Sequence, residues 1–324
     1  HHVETRNKKI NAEDIIKFYN ENQKLGRSNK ILIVCNTIRK AQEIYQELSE
    51  QMEDLNVLHI LHSRFVKKER AELEKEIIKF GKTYDENGAL DCCAGIWIST
   101  SLVEASLDID FDYLFTELQD LNSLFQRFGR CNRKGKKDVT RANCYVYTEI
   151  ESSILTSNRN GFIDEVIFEL SKKAIEEGEG LLTESRKLEL LNQYLTMDNL
   201  KDSDYYRRYK NAERMIDGIR PYRYQKKENQ LRNILSEEVI PSPVYEENAE
   251  KITSIVKQFT ESNDKVERIK LKEELMQYSV TIPYWQWFSY QKNLKKGMAL
   301  SFPTIQLGKN QEISVIECIY DELG

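Results

Sequence analysis

An arginine-rich stretch, SLFQRFGRCNR from Ser123 to Arg133, contains the residue types best suited to binding a phosphate. The planar guanidinium group of arginine forms two parallel hydrogen bonds with an oxyanion and stays ionised at every working pH. Arg130 and Arg133 are three residues apart, so a helical turn would direct both side chains to one point. A solvent-exposed basic turn would have the same composition. The elements around the stretch must therefore decide between the two interpretations.

Five apolar runs between residues 31 and 148 predict the strands of a mainly parallel sheet. They alternate with amphipathic segments of helical spacing, which is typical of a single α/β domain. Ligands of such sheets meet the carboxyl ends of the strands, so the polar residues that follow each run are candidate site residues. The runs are 31–35, 57–61, 95–99, 112–116 and 143–147. The polar residues after the first three are Asn36 and Thr37, then His62, Ser63 and Arg64, then Thr100 and Ser101.

The sequence changes in character beyond about residue 150. Amphipathic helical patterns and a Tyr-rich basic stretch over 201–232 predict a helical linker over 151–235. Charged helices and short strand-like runs then predict a small α+β domain over 236–324. The predicted organisation is an α/β domain over 1–150, a helical linker, and a small α+β C-terminal domain.

The composition limits the class of protein. The chain has 324 residues, a formal net charge of −5 and 40% hydrophobic residues, which indicates a soluble globular protein and leaves room only for a local basic groove. No apolar run approaches the roughly 20 residues of a membrane span and no signal peptide is recognisable, so we expect a cytoplasmic protein without membrane contact. His1 and His2 look like the remnant of a purification tag. Only His59 and His62 then remain, and we predict no metal centre in this chain.

Two weaker patterns can be rejected. Gly81 and Lys82 resemble the end of a phosphate-binding loop, but Glu76 stands where the first glycine of that loop is required. Asp108, Asp110 and Asp112 mimic the start of a calcium loop, but Tyr113 and Gln119 stand where such a loop needs a glycine and a glutamate.

The order of the remaining motifs resembles the second RecA-like domain of superfamily 2 helicases. A narrower resemblance, to the helicase-nuclease of type I CRISPR systems, rests on ISTSLVEASLDIDFDYLFTE over 98–117 and SLFQRFGRCNRKG over 123–135. The general helicase pattern usually has Arg-Gly where Ala105 and Ser106 stand. Weaker matches are HSRF after the second strand and YDELG at 320–324. The resemblance is strong over about 30–148, weaker from Ile240 onwards, and thin through the linker.

The resemblance implies the C-terminal motor half of an ATP-dependent single-stranded DNA translocase or helicase of CRISPR interference. It implies a RecA-like fold for the first domain and an accessory role for the C-terminal one. It also implies ATP and Mg²⁺ as cofactors, with the Walker A loop, the acidic motif and the nuclease domain lying elsewhere in the full protein. We therefore expect this chain alone to be inactive. The implied partners are single-stranded DNA, a Cascade-like CRISPR surveillance complex and, more weakly, a protein inhibitor.

Carried over position by position, the resemblance also implies individual roles. Arg130 and Arg133 would reach the γ-phosphate of ATP, and Gln126 would help to position it. Asp108 would approach the ribose, with Glu104 and Gly129 in the same nucleotide-binding motifs. The residues implied for the DNA path are Asn36, Thr37, His62, Ser63, Arg64, Thr100 and Ser101.

Two alternatives remain open from the sequence. The first is a general superfamily 2 DNA or RNA helicase. The second is a non-catalytic module that docks DNA or a protein through the Tyr-rich basic stretch and the C-terminal domain. Tyrosines that stack on bases beside Lys and Arg would suit this role, but a linker helix that packs its rings on a neighbour has the same composition.

Overall fold

A computed structural model describes residues 1–105, 107–158, 161–217, 236–307 and 312–324. The chain forms two compact units. Unit 1 comprises residues 1–60 and 76–232, and unit 2 comprises residues 61–75 and 233–324. Unit 1 thus includes helices that the sequence assigns to a linker. The predicted domain limits at residues 150 and 235 remain predictions.

A seven-stranded sheet with the order β3-β4-β2-β5-β6-β1-β7 organises the first part of the chain. Strand β2 is parallel to both β4 and β5, and β6 is parallel to both β5 and β1. The mainly parallel α/β sheet is therefore confirmed, with one antiparallel pair, β1 with β7, at its edge. The strands are β1 His2–Arg6, β2 Asn29–Val34, β3 Leu58–Leu61, β4 Ala94–Ser99, β5 Tyr113–Glu117, β6 Cys144–Tyr147 and β7 Gly180–Leu181.

Strand β1 corrects the prediction for the start of the chain. Residues 3–30 look helical in the sequence, but the first helix begins only at Ala12. The His2 main-chain N–H donates to Asn143 Oδ1 at 2.8 Å, and the His1 ring stacks on Phe128. Both histidines are thus part of the folded unit. The strand has a single fully buried side chain, Val3, so pairing with β6 and not a sequence pattern determines it.

Helices flank this sheet, and polar caps fix where several of them begin. Asp120 accepts hydrogen bonds from the N–H groups of Asn122 and Ser123, which starts α4 and thereby positions the arginine-rich stretch. None of the helices in the described ranges is long and apolar enough to cross a membrane. The helices are α1 Ala12–Lys24, α2 Ile38–Ser49, α3 Lys67–Phe80, α4 Leu121–Phe128, α5 Glu165–Glu177, α6 Glu184–Tyr194 and α7 Asp204–Asp217.

The Tyr-rich basic stretch is only partly described. Helix α7 contains its first half, where Tyr205 and Tyr209 are exposed. Tyr222 and Tyr224 lie outside the described residues, and so does Ser106 of the Glu-Ala-Ser motif.

Unit 2 is built on a four-stranded sheet with the order β10-β11-β8-β9, which fits the predicted α+β character. Strands β11 and β8 are parallel and the other pairs are antiparallel. The segment 61–75 belongs to this unit through the Val66 N–H, which donates to Tyr320 Oη at 2.8 Å, and through an ion pair of Lys67 with Glu238 at 2.7 Å. The strands are β8 Ser236–Pro241, β9 Val280–Pro283, β10 Thr304–Gln306 and β11 Glu312–Ile316. The helices are α8 Ser242–Glu247, α9 Ala249–Glu261, α10 Lys265–Met276 and α11 Tyr284–Lys295.

Candidate nucleotide and nucleic-acid site

The arginine-rich stretch occupies α4 and the loop that follows it. Gly129 ends the helix with an ordinary right-handed backbone, at φ −61°. Main-chain hydrogen bonds attach the next residues to Phe111, which lies just before β5. The Phe111 N–H donates to Arg130 O at 2.8 Å, and the Asn132 N–H donates to Phe111 O at 2.9 Å. The loop is therefore held by main-chain bonds. Side chains on such a loop start from a defined position.

Arg127 is completely buried and serves as the centre of the site's framework. A buried guanidinium group requires charge and hydrogen-bond partners, since an unpaired one would be very unfavourable. The Arg127 side chain donates to Glu104 Oε1 (2.8 Å), Thr116 Oγ1 (2.9 Å), Glu117 O (2.7 Å), Asn36 Oδ1 (3.2 Å) and Gln119 Oε1 (2.9 Å). Asn36 follows β2 and Glu104 follows β4, and the other three partners lie at or just after the end of β5. Arg127 thus ties three motifs together and has no face left for a ligand.

Several predicted site residues belong to this framework. The Asn36 side chain donates to Leu118 O at 2.8 Å besides accepting from Arg127, and its main-chain N–H donates to Glu117 Oε2 at 2.7 Å. Burial raises the pKa of the Glu117 carboxyl. Thr37 caps α2 by accepting from the Lys40 N–H at 3.1 Å. The side chain of Asn36 is therefore engaged within the protein, whereas the half-buried Thr37 lies at the start of a helix.

Arg130 and Arg133 are brought together, although both follow the end of α4 and do not share a helical turn. Both donate to the Leu107 carbonyl oxygen, Arg130 at 2.5 Å and Arg133 at 3.4 Å, and Arg130 also donates to Glu104 O at 2.6 Å. The Arg133 side chain is 37% exposed and lies 3.3 Å from Asp108, which is 76% exposed. Burial, and next the charge of Arg133, lowers the pKa of Arg130. Two cations therefore converge near the surface with one exposed carboxylate beside them, which is an arrangement that can bind an anion.

The loop that carries Arg133 rests on an acidic pair that sequence reasoning underrated. Asp110 is buried and accepts from the Arg133 N–H at 2.9 Å and from Thr83 Oγ1 at 2.7 Å. Lys137 lies 3.3 Å from Asp110 and 2.8 Å from Asp112. These two carboxylates share one lysine, and the described residues contain no group of side chains suited to a metal ion. Alternation with apolar residues gave no signal of this burial, because Ile109 and Phe111 are buried as well and Asp108 is exposed.

Thr100 and Ser101 lie beside Asn36 and Thr37 at adjacent strand ends. Strands β2 and β4 are paired in parallel up to Val34 and Ser99, and the Cys35 N–H donates to Ser99 O at 2.9 Å. Thr100 is buried, whereas Ser101 is exposed at the start of the 3₁₀ helix Ser101–Glu104. Gln126 is exposed on α4. Of these three residues, Ser101 and Gln126 therefore present accessible polar groups, a hydroxyl and an amide.

His62, Ser63 and Arg64 lie in unit 2. His62 is completely buried, its Nδ1 accepts from the Arg64 N–H at 3.2 Å, and its ring stacks on Phe65 at 4.7 Å between centroids. Burial lowers the pKa of His62 to about 4. Ser63 is exposed and Arg64 is half-buried. As placed, the His62 ring offers no surface to a ligand, and the neighbouring serine and arginine do.

Comparisons with known proteins agree with the motifs. Residues 27–136 match the family model described as CRISPR-associated nuclease/helicase Cas3, C-terminal. The CRISPR-associated nuclease/helicase Cas3 of Methanothermobacter thermautotrophicus is 27% identical over 277 residues, which are 78% of this chain and 31% of that protein. The Cas3 of Escherichia coli K12 is 36% identical over 109 residues, which are 33% of this chain and 12% of that protein. The chain thus spans less than a third of the length of these curated relatives.

Solved structures show the same fold. The crystal structure of T. fusca Cas3-AMPPNP superposes with a TM-score of 0.64 at 16% identity, covering 90% of this chain and 37% of that one. A chain of a CRISPR RNA-guided surveillance complex in the pre-nicking state superposes with a TM-score of 0.56 at 16% identity, covering 86% of this chain and 37% of that one. Residues 27–136 thus resemble the C-terminal region of Cas3 in sequence, and the chain shares its fold with the corresponding part of the solved Cas3 structures.

Proposed function

We propose that this chain is the C-terminal motor half of an ATP-dependent single-stranded DNA translocase of CRISPR interference. One observation carries the proposal: Arg130 and Arg133 converge on Leu107 O beside the exposed Asp108, on a loop held by main-chain bonds. This cationic pair would stabilise the charge that develops on the γ-phosphate of ATP, while Asp108 contacts the ribose. Phosphoryl transfer depends mainly on such positioning and charge neutralisation.

The residues of this chain suit the roles of phosphate binding and nucleotide positioning. Arg130 and Arg133 can bind phosphate oxygens, and Gln126 can position the nucleotide from the exposed face of α4. Mg²⁺ and the remaining phosphate contacts belong to groups outside this chain, because the chain lacks a Walker A loop. We infer that the chain alone does not hydrolyse ATP.

The DNA path would run over the ends of the strands. In unit 1, Thr37 and Ser101 present short hydroxyl groups at these strand ends, and main-chain N–H groups near them can bind phosphates without reading the base sequence. In unit 2, taken by itself, Ser63 presents a hydroxyl group and Arg64 a charge that favours a polyanion. Binding to a Cascade-like surveillance complex, and control by a protein inhibitor, are further parts of this proposal, which rest on family likeness alone.

The test is ATP hydrolysis by the complete motor protein. Arg130→Ala should leave ATP binding largely intact and reduce DNA-stimulated hydrolysis by about 10³-fold or more, the range known for arginine fingers. Arg207→Ala is the matched control, because Arg207 is an exposed arginine on α7 whose ion pair is with Asp204. Turnover of the Arg130→Ala variant equal to that of the control would refute the proposed role.

A further inference from the structure

One segment of unit 2 is depleted of acidic residues to a degree that the rest of the chain is not. The chain has 53 Asp and Glu among 324 residues, yet residues 275–311 contain none. The same segment contains four lysines, at positions 292, 295, 296 and 309. A protein of net charge −5 therefore has a cationic surface segment, and a cationic segment favours a negatively charged partner.

Helix α11 lies in this segment and uses one side to pack on its own unit. Trp287 and Tyr290 contact the apolar cluster formed by Val239, Val280, Ile282 and Ile316. Tyr290 Oη also donates to Leu300 O at 2.9 Å. These contacts fix the orientation of the helix, so the opposite side is directed away from the four-stranded sheet.

The opposite side carries aromatic rings in solvent. Trp285 is 70% exposed and Phe288 is 55% exposed. The rings of Tyr284 and Phe288 lie 6.3 Å apart and nearly parallel, with 24° between their planes. Large apolar side chains that remain exposed as a group usually mark a binding surface.

Exposed lysines continue the same side of the helix. Positions 285, 288, 292 and 295 are separated by three, four and three residues, which places them on one face of an α-helix. We call Trp285, Phe288, Lys292 and Lys295 the outer face of α11. Over its ten-residue length a helix rises by about 15 Å, the span of a few nucleotides of an extended strand. Rings thus occupy one half of the face and ammonium groups the other.

We propose that the outer face of α11 binds single-stranded DNA, with bases stacking on Trp285 and Phe288 and phosphates pairing with Lys292 and Lys295. Exposed rings beside cations are what unpaired nucleic acid requires, because each base presents a π-face and each phosphate a charge. A protein partner could also cover the rings, so the experiment must separate it from DNA. The proposal rests on the proposed DNA substrate and is independent of the arginine pair.

The experiment measures binding of a labelled oligothymidylate to the 324-residue chain by fluorescence anisotropy across a salt series. The double variant Trp285→Ala, Phe288→Ala should weaken binding by about tenfold or more, because stacking on an aromatic ring is strong for each base. The double variant Lys292→Gln, Lys295→Gln should reduce the log–log salt slope by roughly 1.4, since each phosphate contact contributes roughly 0.7 in single strands. The matched control is Ile269→Ala, Lys257→Gln, which alters exposed side chains of the same unit. Circular dichroism verifies that each variant is folded.

A conservative variant provides a second measurement. Trp285→Phe keeps a ring, so it should retain most of the affinity while losing the part of the fluorescence quenching that we expect DNA to cause at Trp285 in the parent protein. Unchanged affinity and salt slope in both double variants would overturn the proposal. So would a concentration-dependent dimer that the Trp285→Ala, Phe288→Ala variant abolishes, because the face would then bind a second copy. These measurements need no ATP, so their failure is separable from a failure of the Arg130 test.

Discussion

The arginine-rich stretch contains two regions with opposite properties. Arg127 is fully buried and donates to five different residues. Three and six residues later, Arg130 and Arg133 reach the surface and are bonded mainly to main-chain carbonyl groups. The first region holds strand ends together, and the second leaves charge available to a ligand.

The difference shows how one motif can position and act at the same time. Arg127 connects Asn36 and Glu104, so the strand ends proposed for the DNA path are tied to the helix that precedes the proposed arginine fingers. A shift of α4 would therefore move both the strand ends and the loop that carries Arg130 and Arg133, because packed and hydrogen-bonded cores do not deform continuously. The buried region should therefore control stability, and the exposed region should control turnover.

The largest expected effect on stability is that of Arg127→Ala. Removing the guanidinium group leaves the Glu104 carboxylate and several buried acceptors without their donor, which should reduce the free energy of unfolding of unit 1 by about 3–5 kcal/mol. Urea unfolding followed by circular dichroism measures this loss. Arg130→Ala is the internal control and should reduce the free energy of unfolding by no more than about 1 kcal/mol. Equal losses in the two variants would remove the distinction between the regions.

Next in size is a pH effect at His62, a buried member of the predicted DNA path. Its pKa is lowered from 6.5 to about 4, so the unfolded chain binds more protons than the folded one between these pH values. The stability contributed by the neutral ring is complete above about pH 6.5 and falls as the pH approaches 4. The difference between the two pKa values corresponds to a pH-dependent contribution of about 3 kcal/mol to the free energy of unfolding.

The control for this pH effect is His62→Phe, which keeps a ring against Phe65 but cannot be protonated. The stability difference between the parent protein and the variant should shift in favour of the variant as the pH falls from 7 to 4.5. A stability difference that stays constant over this pH range would show that the His62 ring is accessible to water and could contact a ligand.

Glu104→Gln should have a smaller effect, about 1–2 kcal/mol. Glutamine still accepts from Arg127 Nε but lacks the negative charge that strengthens the bond. A double-mutant cycle with Arg127→Leu isolates this interaction. Independent, additive effects of the two changes would contradict the 2.8 Å ion pair on which the buried region depends.

Which parts of the fold the sequence could predict depends on burial. Strands such as β2 and β4 are buried on both faces, so their apolar runs are unmistakable, and their parallel pairing brings Thr37 and Ser101 to one edge. Strand β1 depends on its partner strands and has no such pattern. Helix α11 begins directly after β9 with a run of aromatic residues, and aromatic residues are more typical of strands than of helices.

The limits at the site have a different cause. The spacing of Arg130 and Arg133 predicts convergence only on a helical turn, whereas both residues lie in the loop after α4 that is held by main-chain bonds to Phe111. Spacing cannot show that Arg127 is buried, since the three arginines are identical in type and only the acceptors around Asn36 and Glu104 distinguish them. Those acceptors come from other strands, so the distinction is a property of the tertiary structure.

The smallest expected effect on stability is that of Asp108→Asn. Asp108 is 76% exposed and its ion pair with Arg133 lies near the surface, where such pairs contribute little, so the loss should be below about 0.5 kcal/mol. If Asp108 contacts the ribose, the same change in the complete motor protein should raise the KM for ATP by about tenfold, the equivalent of one lost hydrogen bond. Asp198→Asn is the matched control, because Asp198 is equally exposed and also forms a surface ion pair, with Lys201. An unaltered KM would restrict the nucleotide site to the two arginines, whereas a large loss of stability would assign Asp108 to the buried region.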